Sequence, residues 1–149
     1  MQATEVKDLL SRGQPSLVAA DATLKEVAAK MIEDRTTRDV YVIDDARRFV
    51  GLITLRRLTH FLFASKIPDK SSATDLLELV SAEHAGHLAV KKSAHVHVDD
   101  LLAHAVGVMF RFDLNEIPVV DSDMVFVGSL NMLEILAAWN AGEFEDSAE

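Results

Sequence analysis

The sequence contains no cysteine. That absence excludes disulfides, cysteine nucleophiles and thiolate metal sites, and it points to a reducing compartment rather than a small secreted scaffold. Three prolines and six glycines in 149 residues are too few for a linker-like or low-complexity chain. No apolar run approaches the roughly 20 residues of a membrane-spanning helix, and the opening MQATEVKDLL is too polar and acidic for a signal or transit peptide. No run of Lys or Arg exceeds two residues and the net charge is −9, so there is no basic face to neutralise a nucleic-acid backbone. Nucleophile-elbow, P-loop, kinase and HExxH motifs are missing too. The expectation is a soluble, cytoplasmic protein that is not an enzyme, binds no nucleic acid and does not insert directly into a membrane.

What is present is material for a packed interior: 49% hydrophobic residues against 26% charged. The length fits one compact domain or two small halves sharing a core. The charge is unevenly divided. Residues 1–75 carry 12 Lys and Arg against 11 Asp and Glu, whereas residues 76–149 carry 3 against 13. Six of the eight arginines (Arg35, Arg38, Arg47, Arg48, Arg56 and Arg57) fall within 23 residues. The basic stretch reads first as a solvated surface and second as an anion site.

Laid on itself, the chain matches at a spacing of 77 residues. Without a gap, Leu24, Ala28, Val42, Asp44, Phe49, Val50 and Gly51 fall on Leu101, Ala105, Val119, Asp121, Phe126, Val127 and Gly128. The order of periodicities repeats as well. Leu24, Val27, Ala28, Met31 and Ile32 step at helical spacing, with Thr23 placed to cap. Val40 to Ile43 and Phe49 to Ile53 read as a hairpin around a turn at Asp44 to Arg48. From Thr54, an N-cap, a second helix runs with Leu55, Leu58, Phe61 and Leu62 on one side. The second half predicts a helix near 99–112 begun by Asp99 or Asp100, strands near 116–121 and 124–130, and a helix near 131–141 capped by Asn131. Each half is preceded by a short helix (Val6–Leu10 and Thr74–Leu79) and a strand (17–19 and 95–98). The resulting division is a first repeat at 1–64, a linker at 65–72, a second repeat at 73–142 and an acidic tail at 143–149. A module of about 55 residues is too small to bury its own sheet, so the two copies are expected to pack around a pseudo-twofold axis as a duplicated α+β fold.

A β-α-β-β-α unit with a helix such as TLKEVAAKMIEDR, strands ending Val42-Ile43-Asp44 and Val119-Val120-Asp121, then Phe-Val-Gly and a short step to a helix, resembles the cystathionine-β-synthase (CBS) domain. Two in tandem resemble a Bateman module, a CBS-domain pair, over about 5–62 and 73–140. The resemblance implies a regulatory module that forms homodimers, requires no cofactor and binds an adenosyl ligand such as AMP, ATP or S-adenosylmethionine between repeats. The family's nucleotide signature is Gly, two residues, Ser or Thr, two residues, Asp. A ribose diol donates two hydrogen bonds, which a carboxylate accepts and a guanidinium cannot. The first repeat has Gly51, Thr54 and then Arg57; the second has Gly128, Asn131 and then Glu134. Neither motif is complete.

Ligand contacts are therefore expected at Thr54, Arg56, Arg57, Pro118, Asn131 and Glu134, with Glu134 the better ribose acceptor and Arg57 with Arg56 suited to a phosphate or carboxylate near a helix N-terminus. For Arg56, Arg57 and Glu134 the plainer reading is of ordinary exposed charges in a helix's first turn. His84 with His87 and His95 with His97 form pairs, but nothing in the sequence brings them together, so no metal site is expected. Asp44 and Asp121 read as turn residues. Two alternatives of other classes remain: a structural dimerisation element without ligand, and a Mg²⁺-responsive cytosolic domain of a transporter, where carboxylates repel until a hard cation screens them. An effector enzyme or transporter is the implied partner.

Overall fold

In the computed structural model the described residues are 4–10, 16–33, 39–63, 84–91 and 93–144. The chain divides into two compact units that do not follow the sequence halves. One, the first-repeat unit, is Ser16–Ser93; the other, the second-repeat unit, joins Met1–Pro15 to Ala94–Glu149. The expected linker and the segment 74–79 lie outside the described residues.

The first-repeat unit is built from β1 (Leu17–Ala19), α1 (Leu24–Glu33), β2 (Asp39–Ile43), β3 (Phe49–Thr54), α2 (Leu55–Phe63) and a short α3 (Ala85–Leu88). Its sheet has the order β1-β2-β3, with β1 parallel to β2 and β3 antiparallel. The second-repeat unit has a 3-10 turn at Val6–Leu9, then β4 (Val96–His97), α4 (Leu102–Arg111), β5 (Glu116–Val120), β6 (Phe126–Asn131) and α5 (Met132–Asn140). Its sheet repeats the plan as β4-β5-β6. Both units are thus the α+β modules that the repeat implies.

Each sheet buries one set of residues against its helices. Val18, Val27, Met31, Val40, Val42, Ile53 and Leu58 form the first core; Val96, Leu102, Ala105, Met109, Ile117, Val119 and Leu130 form the second. The hairpins match in detail. Asp44 Oδ1 accepts from the N–H of Ala46 and Arg48, each at 2.9 Å, and Asp121 Oδ1 accepts from Asp123 and Val125 at 2.8 and 3.0 Å. Arg47 and Met124 hold φ of 64° and 66° at equivalent places, and each pairing carries an irregularity one step before the turn. The aspartate bonds stabilise a left-handed step at residues that would otherwise avoid it.

The ungapped spacing of 77 needs correction over part of the repeat. It holds from β2 to α2 against β5 to α5, but α1 and α4 begin at Leu24 and Leu102, a spacing of 78. Met31 therefore corresponds to Met109, both buried, and Ile32 to Phe110, which are 68% and 70% exposed. The identities of Leu24 with Leu101 and Ala28 with Ala105 are off by one residue. One residue fewer between α4 and β5 than between α1 and β2 accounts for the change, and the chance identities hide it because both helices are rich in Ala, Leu and Val.

Three further expectations are corrected. Ile32, placed on the buried face, is outside it, because the buried stripe of α1 is Val27 and Met31 alone. Asp100 does not cap α4: its Oδ2 accepts from the His97 N–H at 2.9 Å, and Leu101 occupies the N-cap without a side-chain bond. The fourth strand, expected at 95–98, is only Val96–His97. In the first repeat the Tyr41 N–H donates to Ser16 O at 2.9 Å and extends β1; Pro118 stands at the matching place and has no N–H to offer.

The leading short helices have changed places between repeats. In the second-repeat unit the N–H groups of Val6 and Lys7 donate to Asp100 O and Val98 O, at 2.8 and 3.1 Å. In the first-repeat unit those of Ala85 and Gly86 donate to Ala22 O and Ala20 O, at 2.9 and 2.8 Å. Glu5 bridges to Leu101, and His84 to Thr23. Each unit is thus one repeat's sheet and helices closed by a short segment that precedes the other repeat's first strand. Lys7 strengthens one of these junctions by pairing with Glu5 at 2.9 Å and Asp99 at 3.4 Å. Hydrogen bonding to Glu5, then to Asp99, holds its ammonium above the ordinary lysine value.

Candidate functional site

The two glycine-led corners, where the third strand of each sheet turns into its last helix, carry most of the residues singled out by sequence. Local chemistry sets both corners. Thr54 Oγ1 accepts from the Arg57 N–H at 3.0 Å, and Asn131 Oδ1 accepts from the Leu133 N–H at 2.7 Å. Both residues are therefore the N-caps that sequence expected, each satisfying a donor the helix leaves open.

The glycines that open the corners are needed for close approach. A Cβ built at Gly51 would collide with the Val90 carbonyl, because the chain after α3 runs against β3, with the Val90 N–H donating to Leu52 O at 2.9 Å. At Gly128 the neighbour is instead a side chain, with Leu10 Cδ2 3.3 Å from the added carbon. Both glycines thus admit the segment that follows the exchanged short helix. Six residues further on, one helical turn inside α2 or α5, stand Arg57 and Glu134.

Arg57 is half-buried, and its Nε donates to the carbonyl of Leu88, the last residue of α3. Thr54 and the exposed Arg56 lie elsewhere, on a depression of about 630 Å³ shared with Asp39, Leu55, His60 and Phe63. The first corner therefore separates its two arginines: Arg56 faces an open hollow, while Arg57 is tied to backbone.

At the second corner Glu134 lines a depression of about 340 Å³ with Asp8, Leu9, Leu10, Ala137 and Glu143. Among the described residues its ionisable lining groups are Asp8, Glu134 and Glu143, all carboxylic acids. Asn131 is not on that wall; it caps α5, and its Nδ2 donates to Glu116 Oε2 at 3.4 Å. Pro118 is buried within β5 opposite Ser129. Of the residues expected together at this corner, only Glu134 reaches the depression. Sequence reasoning missed Asp8, Leu9, Leu10 and Glu143 there, and the Leu88 carbonyl at the first corner. No local pattern marks them, since they arrive through the exchange of short helices.

The histidines form one close pair in each unit. His84 and His87 have ring centroids 5.3 Å apart, and His95 and His97 5.7 Å, consistent with alternation along a strand. Among the described residues no group of three or more His, Asp or Glu side chains is placed to hold a metal ion, and no helix is long and apolar enough to cross a membrane.

Comparison with known proteins agrees with this geometry. The CBS domain family model matches residues 6–64 and 85–140, so the chain belongs to the CBS domain family, with two repeats. Among curated protein sequences none matches. Of solved structures, CBSX2 from Arabidopsis thaliana, crystallised in complex with AMP, is similar with a TM-score of 0.75 and 19% identity, over 94% of this chain and 98% of that one. A CBS domain-containing protein from Thermotoga maritima is 31% identical, with a TM-score of 0.70 over 94% of this chain and 97% of that one. The CBS domain pair of protein MJ0100, crystallised with 5′-methylthioadenosine and S-adenosyl-L-methionine, is 20% identical, with a TM-score of 0.68 over 94% and 98%. The exchanged segment Ala85–Leu88 opens the second match, as the 3-10 turn at Val6–Leu9 opens the first.

Proposed function

We propose that this CBS-domain pair is a regulatory, non-catalytic module that binds an adenine nucleotide or a related adenosyl ligand at its glycine-led corners. The observation that carries the reading is Glu134. It stands at the position where the family signature places its ribose-holding carboxylate, on a depression that also receives Asp8, Leu9 and Leu10. A carboxylate accepts both hydrogen bonds of a ribose diol, and the longer glutamate stem moves that acceptor outward by one methylene. Asn131 and Pro118 shape the same corner from behind, through the helix cap and the shortened strand. At the first corner Thr54 and Arg56 offer donors suited to a phosphate or carboxylate. The AMP, 5′-methylthioadenosine and S-adenosylmethionine complexes of structurally similar CBS pairs support the ligand class.

Among the described residues the wall of the second depression is acidic, which ranks S-adenosylmethionine above AMP and ATP there, since each carboxylate opposes a phosphate brought beside it. The signal is a population shift. A ligand touching both α5 and the 3-10 turn at Val6–Leu9 favours the docked state of that turn. Titration calorimetry with AMP, ATP and S-adenosylmethionine tests the reading. Binding is expected, weakened at least tenfold by Glu134→Ala, and silence from all three at millimolar concentration overturns it.

A second reading concerns assembly. Leu133, Leu136 and Trp139 of α5 are 73%, 57% and 59% exposed, and Leu55, Leu62 and Phe63 of α2 are also exposed. Apolar faces of this size favour a partner, and a homodimer is the simplest one. Sedimentation velocity is expected to give twice the chain mass, falling to the monomer in Leu133→Glu with Trp139→Ala.

A further inference from the structure

We infer that Arg57 is a latch for the exchanged helix α3, and that the chain consequently takes a single adenosyl ligand, at the Glu134 corner. The inference rests on the adenosyl reading above and narrows it. At the first corner the residue six positions after the glycine is a guanidinium, which has five donors and no acceptor, so it cannot receive a ribose diol. It is also committed: Arg57 Nε donates to Leu88 O, a carbonyl at the C-terminal end of α3 that no further helical turn would satisfy. A cation at that end also meets the favourable end of the peptide dipoles.

The surroundings close the corner further. Ala89 and Val90 run against Gly51 so tightly that not even a methyl group fits, and the Val90 N–H is bonded to Leu52 O. A ligand entering there must break the Arg57 bond and lift this segment. The second corner differs in three ways. Glu134 is an acceptor, the segment after the short helix meets Gly128 through the movable Leu10 side chain, and Glu134 itself lines the depression of about 340 Å³, whereas the larger one at the first corner is lined by Thr54 and Arg56 and not by Arg57. One position of the repeat has thus become a structural donor in one copy and has stayed an acceptor in the other.

Calorimetric stoichiometry and amide exchange on the full chain test this. With S-adenosylmethionine and, separately, AMP as probes, the wild type is expected to bind one equivalent of at least one of them. Glu134→Gln weakens that binding at least tenfold, while Arg57→Ala keeps the single equivalent. In Arg57→Ala the amides of Gly86, Leu88 and Ala89 exchange about tenfold faster, the scale of losing one hydrogen bond to a charged donor, and Arg57→Lys restores much of the protection. Two equivalents in the wild type overturn the single-site inference and leave the adenosyl reading standing. Absence of binding by the wild type overturns that reading and the site count with it, but not the latch. Unchanged exchange in Arg57→Ala overturns the latch whatever the binding result.

Discussion

The first-repeat and second-repeat units share a plan down to the aspartate-bonded hairpin turn and the left-handed residue inside it, yet their corners have opposite chemistry. Around the first stand Arg56, Arg57 and His60 with the single carboxylate of Asp39; around the second, among the described residues, stand the carboxylates Asp8, Glu134 and Glu143. Identical backbone geometry therefore does not imply identical sites. The hairpins stay alike because the turn demands a backbone-bonding aspartate in each. The helix positions one turn on are free to diverge, because the fold requires of them only that they meet the exchanged segment. A donor can meet it as a latch and an acceptor can border a hollow, and both leave the sheet and core undisturbed.

The equivalence of Met31 with Met109 is the sharpest statement of that comparison, and it has the largest expected effect. Met31→Ala and Met109→Ala should each cost about 2–5 kcal/mol by opening a cavity in their own core, whereas Ile32→Ala and Phe110→Ala should stay within about 0.5 kcal/mol. Chemical denaturation of the four variants decides it. A large loss at Ile32 together with a small one at Met31 would restore the ungapped alignment of the two helices.

The next effect separates the two glycines. Gly51→Ala places its methyl against a backbone carbonyl that cannot turn away, so a loss of about 2–3 kcal/mol is expected. Gly128→Ala meets the end of Leu10, which can change rotamer, so its loss of about 1–2 kcal/mol comes from the backbone, whose φ of 158° a side chain strains, rather than from a clash. Thermal unfolding would show the order directly, and equal losses would mean that the two exchanged segments are held alike. Smallest are the caps. Thr54→Ala and Asn131→Ala should each cost about 1 kcal/mol, with Asn131 the larger because its amide also donates to Glu116. Asn131→Asp separates the two roles, keeping the cap acceptor while losing the Glu116 bond.

Much of the architecture was legible in the chain itself. Strand alternation at Val40 to Ile43, the Thr54 and Asn131 caps and the Asp44 and Asp121 turns all depend on contacts within a few residues, which a local pattern records. The repeat was legible for the same reason, as was the glycine step that carries the family resemblance. Ile32 and the short fourth strand were misread because each depends on a partner distant in sequence: the helix packing on a sheet, and the ladder bond that Pro118 cannot make. Asp100 was misread for a different reason, since two local acceptor roles compete and its carboxylate closes the turn back to His97 instead of capping the helix ahead. Of the site residues, Glu134 could be read as an acceptor from its place in the motif. Its neighbours Asp8, Leu9 and Leu10, more than a hundred residues away, could not.

By itself the sequence determined the duplicated module, its strand–turn–strand order and the identity of the groups at each corner, since side-chain chemistry and short-range periodicity are written residue by residue. Only the tertiary structure decided which short helix closes which sheet, and therefore that Arg57 would find a carbonyl while Glu134 would find a hollow. The physical reason is that an exchanged segment is held by backbone hydrogen bonds and close packing at a glycine, and neither depends on a recognisable side-chain pattern in the segment itself.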